Sequence, residues 1–115
     1  MSYETRCVRI RLKPGSLGRV REWTSTINSQ VDEALATLRD EGVIIECVFL
    51  DSSELGDFLI YFMKAESFEA AASAATTSGH AIDDYHRRFT RDTWLERSEL
   101  ETLIDLDRID EFIKK

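Results

Sequence analysis

Few side chains in this 115-residue sequence are suited to acid–base or metal chemistry. The two histidines, His80 and His86, are six residues apart, whereas ligand pairs on one helix face need a spacing of three or four. Asp83 and His86 have that spacing, but the sequence offers no evident third ligand. We therefore expect no metal site. We also expect no haem, for which His86 is the only reasonable axial ligand.

A general base would have to come from Glu46, Tyr61 or His86. Glu46 interrupts an apolar run, and a carboxyl group among apolar side chains has its pKa raised by loss of hydration. Arg9 and Arg11 add charge at one flank. We take Glu46, Tyr61, His86, Arg9 and Arg11 as candidate residues of a ligand pocket. In the competing interpretation, which the residue types favour slightly, the arginines and Glu46 form only ion pairs and leave no cavity.

Nucleophilic and phosphate-binding chemistry have less support. The thiolate of Cys7 could be favoured by the guanidinium of Arg9, but a free cysteine, such as Cys47 in its apolar run, is more often a small buried hydrophobe. The chain has no G-x-S-x-G, G-x-G-x-x-G or Walker-type motif. We interpret Trp23 and Trp94 as packing anchors. The residues alone leave open whether the protein is an enzyme.

Charge and composition limit the partners and the compartment. The net charge of −7 and the sequence pI of about 4.8 oppose binding to nucleic acid or to an anionic membrane surface. No apolar run reaches the length of a membrane span, and the N-terminus lacks an apolar signal segment. Two cysteines are too few for a disulfide framework. We expect one cytoplasmic domain over residues 1–115.

Changes in hydrophobic period indicate the order of the elements that position these residues. The predicted elements are a strand at 6–12, a helix from Leu17 to about Glu41, strands at 43–50 and 58–63, a helix from Ser67, a helix within 80–97 and a strand at 100–106. This order is the split β-α-β pattern of a ferredoxin-like α+β fold. It predicts a four-stranded antiparallel sheet in the order fourth, first, third, second, with helices on one face.

The face of this sheet opposite the helices indicates how the chain assembles. We expect Val8, Ile10 and Leu12 under the helices. The hairpin residues expected on the opposite face are Ile44, Val48, Leu50, Leu59, Tyr61 and Met63. Monomers rarely expose an apolar patch of several hundred Å². We therefore predict a homodimer that buries this face, with the C-terminal tail also at the interface.

Four segments resemble a bacterial family of small uncharacterised proteins: CVRIRLKPGSLGRVREW, EGVIIECVFLD, FLIYFMKA and HAIDDYHRRFTRDTW. The resemblance spans about residues 5–107. That family is similar to the dimeric α+β barrel superfamily, in which two ferredoxin-like protomers pack their sheets face to face. The resemblance therefore implies a dimeric α+β barrel.

The superfamily includes cofactor-free antibiotic-type monooxygenases, haem-degrading enzymes, muconolactone isomerase-like proteins and ligand-sensing domains. Because one fold hosts such different chemistries, function does not transfer with it. Two functions stay open. The first is a small dimer that binds a small apolar ligand. The second is a cofactor-free monooxygenase- or isomerase-like enzyme acting on an apolar or aromatic substrate. We expect no cofactor in either case.

Overall fold

The strands and helices follow the order expected for a split β-α-β fold. The computed structural model describes residues 3–113. The elements are β1 (Glu4–Leu12), α1 (Leu17–Ser29), α2 (Val31–Glu41), β2 (Val43–Ser53), β3 (Gly56–Ala65), α3 (Phe68–Thr76), α4 (Ala81–Thr93), β4 (Trp94–Glu99) and α5 (Ile109–Ile113). The four strands form one antiparallel sheet in the order β2-β3-β1-β4. The predicted α+β class and strand order are confirmed.

The core lies between the sheet and helices α1 and α4. Val8, Ile10 and Leu12 on β1 are at most 4% exposed, as their alternation predicts. They belong to one cluster with Trp23 of α1 and Phe89 of α4, whose stacked rings have centroids 4.6 Å apart. Buried aromatic rings contribute large contact areas, so this cluster fixes α1 and α4 against the sheet.

The β2–β3 hairpin presents to the helices the side that was predicted to face away from them. Tyr61 of β3 lies opposite both Val8 of β1 and Val48 of β2. Directly opposed residues share a face of the sheet, so this set lies under the helices. The predicted open-side placement is therefore wrong for Val48, Leu50, Leu59, Tyr61 and Met63. Both faces of both strands are apolar, so the period of two could not indicate which face meets the helices.

The side of the sheet that the helices leave uncovered, here called the open face, carries the alternate residues. They are Cys7, Arg9 and Arg11 of β1, Ile45, Cys47 and Phe49 of β2, and Phe58, Ile60, Phe62 and Lys64 of β3. Phe49 is 58% exposed. The Arg9 guanidinium lies 3.8 Å from the centre of the Phe58 ring, and stacking of this kind covers that ring.

The single helix predicted from Leu17 to about Glu41 is in fact two helices. Gln30 adopts φ −127° and ψ 45°, outside the helical region, and separates α1 from α2. The two helices pack against different neighbours: α1 packs against α4, and α2 packs against α3. The predicted end at Gly42 is confirmed by its left-handed φ of 71°. No helix within residues 3–113 is long and apolar enough to span a membrane.

The fourth strand begins earlier than predicted. Helix α4 ends at Thr93, whose carbonyl accepts a hydrogen bond from the Lys13 N–H at 2.8 Å. Strand β4 follows immediately and pairs with β1. The strand predicted at 100–106 is wrong, because residues 101–107 lie in neither a strand nor a helix. Their alternating pattern has no partner strand among the described residues of a single chain.

Candidate ligand-binding site

A partly open cavity of about 510 Å³ lies between the helix-covered face of the sheet and the helices. Its volume is within the range of small-molecule sites, roughly 300–1,000 Å³. Apolar side chains from strands and helices form most of the wall. They include Val8, Val48 and Met63 from the sheet, and Trp23, Ile27, Ala34, Leu38, Ala75 and Ile82 from the helices.

The cavity brings together three of the five residues predicted for a pocket. Glu46 of β2, Tyr61 of β3 and His86 of α4 all line it. Arg9 and Arg11 do not, because they lie on the open face beside a second hollow of about 310 Å³. No arginine or lysine of residues 3–113 forms a salt bridge with Glu46. Binding of a ligand by these residues stays a prediction.

His86 is held by an aromatic neighbour in a defined protonation state. The indole N–H of Trp23 donates to Nδ1 of His86 at 3.2 Å. Indole can only donate, so Nδ1 is the unprotonated nitrogen, and the neutral ring carries its proton on Nε2. Burial lowers the pKa of His86, although the nearby Asp83 opposes that shift. The imidazole is therefore neutral near pH 7 and can donate from Nε2.

Two further donors at the cavity wall have no partner. The hydroxyl of Tyr61 and the indole Nε1 of Trp94 are both buried, and neither finds a hydrogen-bond acceptor within the described part of the chain. Tyr61 is only 3% exposed, and the two rings meet edge to face with centroids 5.4 Å apart. Burial, with a smaller contribution from Glu46, raises the pKa of Tyr61 above its ordinary value. Tyr61 is thus a neutral donor.

Carboxyl groups form the acidic part of the cavity wall. The Glu46 side chain is exposed to solvent, yet the surrounding protein removes enough water to raise its pKa. Repulsion between the Glu46 and Asp83 carboxylates raises that pKa by a smaller amount. Burial also raises the pKa of Glu41 to about 7, with further contributions from Asp83, Glu46 and Asp40. A carboxyl group that titrates near neutral pH is suited to accept a proton from a bound molecule.

Trp23, Trp94 and Glu41 are wall residues with a polar role that were not predicted as site residues. Trp23 and Trp94 read as packing anchors in the sequence, but Trp23 fixes the His86 tautomer and Trp94 contributes a free donor. Glu41 lies at the end of α2 before Gly42, where its charge opposes the helix dipole. That unfavourable position was the one sequence signal for Glu41. Sequence spacing could not indicate that these residues meet in space.

The four-stranded antiparallel sheet with helices on one face is the α+β arrangement of ferredoxin-like proteins, and a cavity lies between the two layers. The chain belongs to a family of unknown function, DUF6176, whose profile matches residues 3–111. This bears out the resemblance to a family of uncharacterised proteins. No curated protein matches the sequence.

Two solved structures share the fold. A proposed antibiotic biosynthesis monooxygenase from Nitrosomonas europaea has a TM-score of 0.56 and 17% identity, and the match covers 85% of each chain. Rv0793 from Mycobacterium tuberculosis has a TM-score of 0.55 and 15% identity, and the match covers 92% of this chain and 100% of that one. At such low identity the likeness establishes the fold and leaves the activity open.

Proposed function

We propose that the protein is a homodimer that binds one small, largely apolar molecule in the cavity of each chain. The observation that carries the proposal is the buried, unpaired hydroxyl of Tyr61 in the wall of a 510 Å³ cavity. Protein interiors are normally close-packed, and buried polar groups are normally hydrogen-bonded. A ligand that fills the space and accepts a hydrogen bond meets both requirements.

The donors define the chemistry of that molecule. Arg87 and Arg97 also line the cavity, but they form ion pairs with Asp84 and Glu99. The remaining donors, Tyr61 Oη–H, Trp94 Nε1–H and His86 Nε2–H, are neutral, so they suit a neutral oxygen acceptor such as a ketone carbonyl. The aromatic rings around them favour a flat, ring-shaped body. The ligand class we propose is therefore an apolar polycyclic compound that carries at least one carbonyl oxygen.

A pair of matched probes tests this proposal. 9-Fluorenone and fluorene have nearly the same shape, but only fluorenone has a carbonyl group. Quenching of Trp23 and Trp94 fluorescence reports binding of each probe. We expect fluorenone to bind about 10-fold more tightly or better, since a site with unpaired donors discriminates against an analogue that lacks the acceptor. Equal affinities, or no binding of either probe, would refute the proposed ligand chemistry.

The second candidate function is a cofactor-free monooxygenase- or isomerase-like enzyme. The observation that favours it is the raised pKa of Glu46 beside the neutral donors of the same cavity. Glu46 would remove a proton from carbon next to the ligand carbonyl, and the donors would stabilise the enolate oxygen. In the oxygenase version the enolate carbon then gives two electrons to dioxygen and forms a C–O bond, and the proton on Glu46 passes to the resulting peroxide to give a hydroperoxide. In the isomerase version the protonated Glu46 returns the proton to another carbon of the conjugated enolate. The N. europaea structure makes the oxygenase version worth testing.

The enzyme hypothesis is tested by exchange of an acidic C–H for deuterium. 2-Tetralone, a fused-ring ketone with acidic α-hydrogens, is incubated with the protein in D₂O and followed by NMR. Wild-type protein should accelerate exchange above the buffer rate, and Glu46→Gln should abolish the acceleration. Oxygen uptake with the same ketone distinguishes an oxygenase from an isomerase. Equal rates in buffer, wild type and variant would leave only the binding function.

The homodimer is proposed from the open face. Its central residues on β2 and β3 are apolar, and Phe49 is more than half exposed. Packing two open faces together would bury this surface, as two-fold symmetric dimers do. We expect Phe49→Asp to yield monomers in sedimentation experiments. Val31→Asp, a change at a 48% exposed valine on α2, is the control and should leave the dimer intact. A wild-type monomer at micromolar concentration would refute this part.

A further inference from the structure

The segment of residues 101–107, here called the arm, leaves large apolar side chains in solvent. Leu103 is 82% exposed, Ile104 is 81% exposed and Leu106 is 87% exposed. Single exposed leucines are normal on protein surfaces, but three within four positions form a patch. The radius of gyration of 15.0 Å also exceeds the value of about 13 Å expected for a chain of this length.

The backbone of the arm is also without partners. The last main-chain hydrogen bond before it runs from the Leu100 N–H to the Cys7 carbonyl, and the next runs from the Glu111 N–H to the carbonyl of Arg108, the residue before α5. Between them, residues 101–107 make no main-chain hydrogen bond to other described residues. The sequence alternates here as a strand does. A segment with this alternation whose N–H and C=O groups are unpaired is a template for pairing with another chain.

The arm is nevertheless anchored on the open face. Lys64 is only 3% exposed, and its ammonium group donates to Asp105 at 2.8 Å and Asp107 at 2.7 Å. The same group donates to the Thr5 hydroxyl at 2.7 Å. These contacts hold the arm beside the face that we propose as the dimer interface. They hold Leu106, between the two aspartates, away from the core of its own chain.

We propose that the arm is an interchain element, which in the homodimer packs against the open face of a second copy of this chain. The inference rests on the homodimer proposed above. The two surfaces are complementary: Arg9 and Arg11 form no ion pair within residues 3–113, and neither does Glu101 of the arm. Two-fold symmetry lets each arm cover the partner's open face, so both apolar surfaces and both sets of charges are matched.

The test compares full-length variants by sedimentation equilibrium. Leu103→Ser, Ile104→Ser and Leu106→Ser are combined in one variant, which removes the apolar surface of the arm. The matched control combines Val31→Ser and Leu35→Ser, two exposed apolar residues on α2. We expect the dimer Kd to rise about 100-fold in the arm variant, because six interfacial side chains are lost per dimer. The control should retain the wild-type Kd.

The outcomes separate the two proposals. A wild-type monomer at micromolar concentration overturns the homodimer and the arm contact together. A stable wild-type dimer whose Kd is unchanged in the arm variant overturns the arm contact alone, whether or not the melting temperature falls. If the arm variant does not fold, hydrogen exchange of the wild-type dimer decides. Protected amides in residues 101–107 support the contact, and exchange at the rate of an unstructured peptide refutes it.

Discussion

Replacing Tyr61 with phenylalanine should stabilise the ligand-free protein and weaken its ligand binding. The hydroxyl belongs to a residue that is 3% exposed, and it has no hydrogen-bond partner in the described structure. A buried, unpaired polar group costs about 1–3 kcal/mol, and phenylalanine has the same shape without that group. We therefore expect Tyr61→Phe to raise the free energy of unfolding by about 1 kcal/mol, or about 4 °C in Tm.

Urea unfolding at one fixed protein concentration measures this change, because the proposed dimer would make apparent stability depend on concentration. The midpoint should rise while the m-value stays constant. Tyr85→Phe is the matched control. The Tyr85 hydroxyl donates to Thr26 Oγ1 at 3.3 Å, so its removal should destabilise the protein by about 0.5–1.5 kcal/mol. The two tyrosine variants should thus shift stability in opposite directions.

Ligand binding gives the second half of this prediction. If Tyr61 donates to a ligand carbonyl, Tyr61→Phe should weaken 9-fluorenone binding about 10-fold and leave fluorene binding unchanged. A Tyr61→Phe protein as destabilised as Tyr85→Phe would show that the hydroxyl already has a partner, such as an ordered water. Tyr61 would then not need a ligand as its hydrogen-bond acceptor, contrary to the proposed function.

Three further predictions concern charged residues. Glu41 has a folded pKa of about 7 against an ordinary 4.5, so the folded state binds the proton more tightly and stability should fall as pH rises from about 4.5 to about 7. The shift sets an upper limit of about 3 kcal/mol, and solvent screening reduces this to about 1–2 kcal/mol. Urea unfolding across this range should show a flatter profile for Glu41→Gln, and an unchanged slope would contradict the shift. Glu46→Gln should alter ligand binding or turnover with the dimer intact in sedimentation, whereas loss of the dimer would mean a structural role. Lys64→Met should release the arm and speed proteolysis there, whereas Lys13→Met should not; equal rates would argue against the anchor.

The topology could be predicted because the hydrophobic period changes sharply between elements. Val8, Ile10 and Leu12 alternate on β1, and the leucine–valine stripe that follows has the period of a helix. The order of these elements permits few sheet arrangements, so the strand order was correct. The break at Gln30 was not visible, since the stripe continues on both sides of it and the break depends on packing against α3 and α4.

The arrangement of the site was only partly predictable. Glu46 was identified because a carboxylate in an apolar strand is costly unless it has a role, and His86 because histidines are few. Arg9 and Arg11 lie on the open face, as predicted, but Glu46 and Tyr61 lie on the opposite face of the sheet, so the arginines do not flank the cavity. Both faces of the hairpin are apolar, and the side facing the helices is decided by the pairing of Tyr61 with Val8, which is a property of strand register.

The strand predicted at 100–106 shows a second limit of prediction from sequence, which concerns the choice of pairing partner. Its alternation predicted a strand, but Trp94–Glu99 occupies the position beside β1 and leaves no room for a second strand there. A strand pattern reports that a segment is suited to pairing and does not report which chain supplies the partner. The alternation in the arm is therefore a pairing pattern that no strand within residues 3–113 of a single chain satisfies.

A crystal structure of the protein with 9-fluorenone tests the central claim most directly. We expect the probe in the cavity between sheet and helices, with its carbonyl oxygen within hydrogen-bond distance of Tyr61 Oη or Trp94 Nε1. Its rings should contact the wall formed by Trp23 and Val48. A probe bound on the open face with the cavity empty, or a probe in the cavity whose carbonyl points to solvent, would contradict the account.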